Sequence, residues 1–169
     1  MEIRKVDRTY WRYFKQHYYL DLKFPPAAEY FIGTIDGELV SHVAVMPMFT
    51  AHSYRASRLV VMPEWQGAGG GTKFLEYLME YHTQGNGRRG HKLPTLFHTS
   101  HQPLIGYLNR SPKWVLKSQM VYGANKKKSG ESIARAQTNR NKKNIGSNAA
   151  KTGGFGGHFR AVQGFKYIG

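Results

Sequence analysis

The chain contains no cysteine in its 169 residues. That excludes a disulfide framework, a thiol nucleophile and any thiolate metal site. No stretch approaches the roughly 20 apolar residues of a membrane span, and Met1-Glu-Ile-Arg-Lys-Val6 lacks the apolar run of a secretion signal. A protein of the cytoplasm without a membrane partner is therefore expected. Acids are scarce as well, with 10 Asp and Glu against 25 Lys and Arg for a net charge of +15. The shortage is lopsided. Residues 110–169 hold 13 Lys or Arg and a single acid, Glu131, whereas residues 1–109 hold 12 and nine. A basic end of this kind suits a polyanionic partner, most simply double-stranded DNA, through phosphate neutralisation and counterion release. A solvated basic tail that serves solubility is the plainer alternative.

A chain of this length forms one domain with a real core, and no internal repeat divides it. Glu2 to Val6 reads as a strand and Tyr10 to Tyr19 as a helix, before Pro25-Pro26 breaks the chain. Tyr30–Ile35 and Leu39–Val45 read as two strands joined at Asp36-Gly37, a hairpin signal. A strand from Arg58 to Met62, a helix from Gly70 to His82, a turn over Gly85–Gly90 and a short strand at Pro94–His98 follow. A helix at Pro103–Asn109 and strands at Trp114–Tyr122 and His158–Tyr167 complete the order. Between the last two strands, at about 123–155, lies an insert rich in Lys, Arg, Asn, Ser and Gly with too few apolar residues to fold alone. Its Lys126, Lys127, Lys128, Arg135, Arg140, Lys142, Lys143 and Lys151, together with Arg160, are assigned to nucleic-acid phosphates.

The most specific motif is the glycine loop Gln66-Gly67-Ala68-Gly69-Gly70-Gly71-Thr72, set between the apolar Leu59-Val60-Val61-Met62 and a helix with Phe74, Leu75, Leu78 and Met79 on one face. Backbone N–H groups at the positive end of a helix hold a phosphate or pyrophosphate. The spacing excludes a P-loop, because Gly71-Thr72-Lys73 reverses the required Gly-Lys-Thr order, and it fails the glycine phase of a dinucleotide fingerprint. A flexible turn between strand and helix would need neither flanking apolar pattern.

The Gln-x-x-Gly-x-Gly order resembles the pyrophosphate loop of the GCN5-related N-acetyltransferase (GNAT) superfamily. The resemblance implies an α/β (α+β) fold: a mixed, largely antiparallel sheet split around a cofactor cleft, with helices on both faces. It also implies acetyl-CoA or a related CoA thioester, held by Val60, Val61, Met62 and Gln66 through Thr72. The family's tyrosine near the cofactor sulfur falls in phase at Tyr107 within Ser100-His-Gln-Pro-Leu-Ile-Gly-Tyr107, with serine and proline replacing the usual asparagine and alanine. A phenol of pKa about 10 can protonate a leaving thiolate; a helix tyrosine packed on the sheet is the alternative.

A narrower likeness, to the Mom family of phage DNA-modification proteins, rests on Arg58-Leu-Val-Val-Met-Pro-Glu-Trp-Gln-Gly-Ala-Gly69, Phe97-His-Thr-Ser100, Arg110-Ser-Pro-Lys-Trp114 and Gly157-His-Phe-Arg-Ala-Val-Gln-Gly-Phe-Lys-Tyr-Ile168. It implies carbamoylmethylation of adenine N6 in phage DNA as protection from host restriction. His17, Tyr18, Arg58 and Ser100 become site residues, with Tyr18, Tyr19 or Trp114 as platforms for an extruded base. A surface role for His17 remains open. Acetyl-CoA-dependent N-acetylation of a protein or small amine is the competing activity, and a degenerate fold that only binds DNA a third reading. Eight histidines invite a metal, but His98-x-x-His101 lacks further ligands and no metal site is assigned.

Overall fold

A computed structural model describes residues 1–18, 27–48, 51–120 and 161–169. Their strands form one seven-stranded sheet: β1 (Glu2–Val6), β2 (Glu29–Ile35), β3 (Glu38–Met48), β4 (Ser53–Val61), β5 (Thr95–Thr99), β6 (Trp114–Met120) and β7 (Val162–Tyr167). The spatial order is β1-β2-β3-β4-β5-β7-β6. Every neighbouring pair is antiparallel except β4–β5, so the expected mixed, largely antiparallel sheet is what forms. The helices are α1 (Trp11–Phe14), α2 (Gly70–Thr83) and α3 (Gln102–Arg110). The basic insert and Arg160 lie outside the described residues.

The hairpin forms where the sequence placed it, since Asp36 at φ 49 and Gly37 at φ 83 make the two positive-φ positions of a two-residue turn between Ile35 and Glu38. The N-terminal helix is shorter than expected. Asp7 starts it by accepting the Thr9 N–H at 2.7 Å, and short 3-10 turns at Arg8–Tyr10 and Lys15–His17 flank the single α-turn, so Tyr18 is already extended. Trp11 and Phe14 still point inward, onto Ile32 and Val60.

Helix α2 buries Phe74, Leu75, Leu78 and Met79 against Phe31, Val43, Val45, Tyr54, Ala56, Phe97 and Phe165. Each such side chain contributes about 1.5–3 kcal/mol on burial. The helix stops at Gln84 because Gly85 takes φ 94, and the N–H groups of Gly85 and Asn86 bond back to the carbonyls of His82 (3.0 Å) and Tyr81 (3.1 Å). The following turn is pinned to the core. Arg88 N–H donates to Glu29 Oε2 at 2.7 Å and Arg89 N–H to Tyr54 Oη at 3.1 Å, while Lys5 Nζ meets Glu29 Oε1 at 2.5 Å.

Gly87 permits that docking: a Cβ there would sit 2.6 Å from His82 Cδ2 and 2.9 Å from Tyr54 Cζ. Both rings are fully buried. Gly87→Ala is expected to cost about 1–3 kcal/mol, read as a lower urea midpoint at unchanged m-value.

Candidate functional site

Strands β4 and β5 pair only from Tyr54–Thr95 to Ala56–Phe97. Beyond Ala56 they part, leaving Ser57–Val61 on one side of an opening and His98–Thr99 on the other. The cause lies in β4. Against β3 the register runs from Ser57↔Ala44 to Val60↔His42, so Arg58 and Leu59 oppose the single residue Val43. That extra residue is a β-bulge, and Arg58 stands in it at φ 54, a left-handed conformation costly for a side-chain-bearing residue.

Arg58 is only 5% exposed. Burial lowers its pKa, partly offset by the phenols of Tyr18 and Tyr30 nearby, and burial raises that of Tyr30. Tyr18 stacks edge-on against Trp11 at 5.3 Å between ring centres. Tyr18 and Arg58 thus lie near each other. His17 is exposed, its Nε2 3.1 Å from Gln16 Nε2. Ser100 is half-buried just past the end of β5, at the far side of the opening.

Nothing in the pattern of β3 singles out His42, and the structure supplies a reason to. Its ring is fully buried among Trp11 (5.0 Å), Phe14 (5.2 Å) and Tyr30 (6.1 Å), and Nδ1 lies 3.2 Å from the Arg58 carbonyl. A carbonyl only accepts, so Nδ1 carries the proton and holds the bulge peptide. Burial pushes the His42 pKa down to about 4, with the carbonyl bond opposing and the Arg58 charge assisting that shift.

At the end of β4 the chain enters the glycine loop. Gln66 Nε2 donates to the Val61 carbonyl at 2.9 Å, and Gly67 and Gly69 take φ 85 and 73. Helix α2 starts at Gly70 with no side-chain cap and no acid in its first turn, which leaves first-turn N–H groups for an anionic guest. Thr72 Oγ1 turns back onto the Gly69 carbonyl at 2.8 Å rather than outward. A Cβ at Gly71 would lie 2.5 Å from Val61 Cγ2, so the helix start rests directly on the strand. Of the apolar residues assigned to the cofactor, Val60 packs into the cluster under α1, and Met62 N–H bonds the Val40 carbonyl at 2.9 Å. The cradle fits a pyrophosphate through its backbone, whereas the Val60 side chain faces the core.

Tyr107 is held by a carboxylate in this structure. Its hydroxyl donates to Glu76 Oε1 at 2.7 Å, an atom that also receives Trp114 Nε1 at 3.2 Å, while Lys113 Nζ reaches Oε2 at 3.3 Å. Burial and the Glu76 carboxylate raise the Tyr107 pKa. To protonate a thiolate, this phenol must first leave Glu76. Trp114 is 5% exposed and committed to that carboxylate, so it is not a base-stacking platform. Tyr19 lies outside the described residues. Glu76, Tyr107, Arg110, Ser111, Pro112 and Lys113 line a cavity of about 440 Å³. Among the described residues no group of three or more His, Asp or Glu is placed to hold a metal, and no helix is long and apolar enough to cross a membrane.

Residues 1–107 match the family described as "Acetyltransferase (GNAT) family". Among solved structures, a mutant of the spermidine N-acetyltransferase SpeG from Vibrio cholerae aligns with 99% of this chain and 95% of its own at 12% identity and TM-score 0.61. A chimera of that enzyme with hSSAT gives 0.64 at 11% identity, over 99% and 96%. A protein described as a streptothricin acetyltransferase from Bacillus anthracis, in complex with acetyl coenzyme A, gives 0.58 at 10% identity, over 99% and 98%. These identities speak to the fold alone. No curated protein matches significantly.

Two expectations follow. Replacing Gly67 and Gly69 together by alanine puts side chains at positive φ and is expected to weaken acetyl-CoA binding at least tenfold in calorimetry, with the far-UV spectrum unchanged. His42, neutral when folded, titrates near 4 against about 6.5 unfolded. Its stabilising contribution is complete above pH 6.5 and is lost as pH falls toward 4, by about 3 kcal/mol at most. Urea unfolding at pH 7 and pH 5 should show this slope in the wild type and a shallower one in His42→Gln.

Proposed function

The chain belongs to the acetyltransferase (GNAT) family, and from that premise we propose that it is a transferase that modifies the exocyclic amine of adenine in DNA, of the Mom type, within the cytoplasm. The observation that carries this reading is the character of the opening between β4 and β5. Its inner wall is a buried arginine beside two phenols, and the described carboxylates that are buried are engaged elsewhere: Glu29 with Lys5 and the Arg88 N–H, Glu76 with Tyr107, Lys113 and Trp114. A polyamine acceptor needs carboxylates at its site, whereas a flat, uncharged nucleobase attached to phosphates is suited by aromatic rings and a guanidinium. The net charge of +15 opposes a polycation and favours a polyanion.

The glycine loop residues Gln66 to Thr72 are suited to hold the pyrophosphate of a CoA thioester, with the peptide N–H groups at the start of α2 as donors. When bound, the thioester supplies an activated acyl carbon. Arg58 orients the acceptor, fixed in its bulge by His42. In this reading Tyr18 packs beside an extruded base and His17, one residue before it, takes the amine proton. Carbamoylmethylation, which the Mom likeness implies, forms an N-alkyl bond that a CoA thioester alone does not provide, so the transferred group is to be read from the product.

A second reading has its own support. Solved structures similar to this fold include enzymes named for spermidine, a small amine, and N-acetylation of such an amine uses the same loop. Mass spectrometry of nucleosides from DNA of expressing cells, beside acetyl transfer to spermidine in vitro, separates the two. A new adenine nucleoside is expected, reduced at least tenfold in Arg58→Ala. Unmodified DNA together with spermidine acetylation establishes the second reading instead.

A further inference from the structure

The sheet has two faces, and α2 and α3 cover one of them. Tyr54, Ala56, Phe97, Phe165, Tyr167 and Trp114 point into that core. Alternation sends the intervening residues to the opposite face. The register then aligns Arg55 of β4, Leu96 of β5, Lys166 of β7 and Val115 of β6 in one row across four strands. The next row on the same face is His98, Gly164 and Ser118. Strands lie about 4.8 Å apart, so Arg55 and Lys166 are separated by about 10 Å across this surface.

None of the described helices packs over these two rows, because α1 and its flanking turns sit on Ile32 and Val60 near the other end of the sheet. Arg55 makes no hydrogen bond or ion pair to a described residue, although burial and the charge of Arg58 both lower its pKa. Desolvation lowers the His98 pKa and the charge of Arg55 lowers it further, although the residue keeps an exposed surface. Gly164 shapes the second row: a Cβ there would lie 2.6 Å from His98 Nε2 and would also strike Ser118 Oγ. The missing side chain lets the imidazole lie across β7 beside a hydroxyl. The described acids are on the other face or beyond the rows, with Glu76 and Glu80 on α2 and Glu29 paired in register with Val45 of the core face.

We propose that this face of β4, β5, β7 and β6, over which no described helix packs, is a nucleic-acid floor on which Arg55, Lys166 and His98 contact the phosphodiester backbone of the DNA that presents its base to the opening at Arg58. The inference rests on the DNA reading above and adds a surface to it that is separate from the basic insert. Like charges gathered without a carboxylate repel until an anion arrives, and a spread of about 10 Å along one side suits a polyanion better than a single small ion. Continuity with Arg58 in the same strand gives the backbone a path from this floor to the acceptor site.

The test uses the full chain, a fluorescein-labelled 20-base-pair duplex, and anisotropy titrations over a range of salt. Lys166→Gln and His98→Gln, at half-buried and exposed positions, are made singly and together, and Arg55→Gln is added as a third change. The combined Lys166 and Arg55 variant is expected to bind at least tenfold more weakly and to lower the slope of log K against log salt by about 2, since each phosphate contact contributes about 0.9. Acetyl-CoA affinity should be unchanged, which reports an intact fold at the loop. Gly164→Ala, which displaces the imidazole without removing it, should weaken binding as His98→Gln does. An unchanged slope in variants that still bind acetyl-CoA overturns the proposal, as does a wild type that does not bind DNA, or one whose variants lose self-association instead. If the slope falls but DNA carries no new nucleoside, the base-modification reading fails and the floor stands. If the nucleoside appears and the slope does not move, the floor fails alone.

Discussion

Strand β4 carries one residue more than β3 can pair, and the surplus is accommodated at Arg58 and Leu59 opposite Val43. A bulge bends its strand and increases local twist. Here the strand stops pairing with β5 after Ala56, which opens the sheet where a ligand can pass. The same bend carries Val61 beneath Gly71, so that α2 begins on the strand's end with its first N–H groups uncapped. Anion cradle, opening and buried arginine therefore share a single origin. A left-handed arginine is costly in isolation, and what holds it is local: the Arg58 carbonyl bonded by His42, and an aromatic enclosure of Trp11, Phe14 and Tyr30 around that imidazole.

Two buried carboxylates organise the rest of the polar interior. Glu29 draws β1, β2 and the turn after α2 together through Lys5 and the Arg88 N–H, which more than offset the burial that would raise its pKa. His82 stands 3.5 Å from the same carboxylate, yet burial lowers its pKa, and its Nδ1 is bonded to the Leu78 carbonyl at 2.6 Å. The geometry describes a neutral ring packed beside an anion rather than an ion pair. Glu76 likewise ties α2 to α3 and to β6 through Tyr107, Lys113 and Trp114. Each carboxylate has its oxygens occupied, which is the condition for a buried charge to be tolerated. It also removes both from the set of groups available to neutralise an amine.

Much of this arrangement was legible in the sequence, because the features concerned are local. The Asp36-Gly37 turn, the glycine loop and the boundaries of α2 and α3 follow from turn chemistry, glycine spacing and helical periodicity over a few residues. The N-terminal helix ended early since Tyr18 packs edge-on against Trp11, a tertiary preference that periodicity does not encode. Strand β4 began at Ser53 rather than Arg58 because its first half contains Arg55 and Ser57, which read as polar. Only the sheet shows that these are the outward positions of a half-buried strand. The bulge was invisible, since one residue too many is a property of two strands in register. His42 was missed for the same reason: nothing in Leu39-Val-Ser-His-Val distinguishes a core histidine that bonds a carbonyl sixteen residues away. Tyr107 and Trp114 were found by phase and type, yet both proved to be ligands of one carboxylate.

The division of labour between the sheet's faces bears on what kind of acceptor the molecule can take. The helix-covered face holds its described buried acids in satisfied networks, and the cations Arg55, Arg58 and Lys166 belong to the other face or to the bulge that turns toward it. A charge segregation of this sort costs stability through repulsion among the cations, and burial of Arg55 and Arg58 adds to that cost. A polyanionic acceptor, as proposed above, would lower that repulsion on binding.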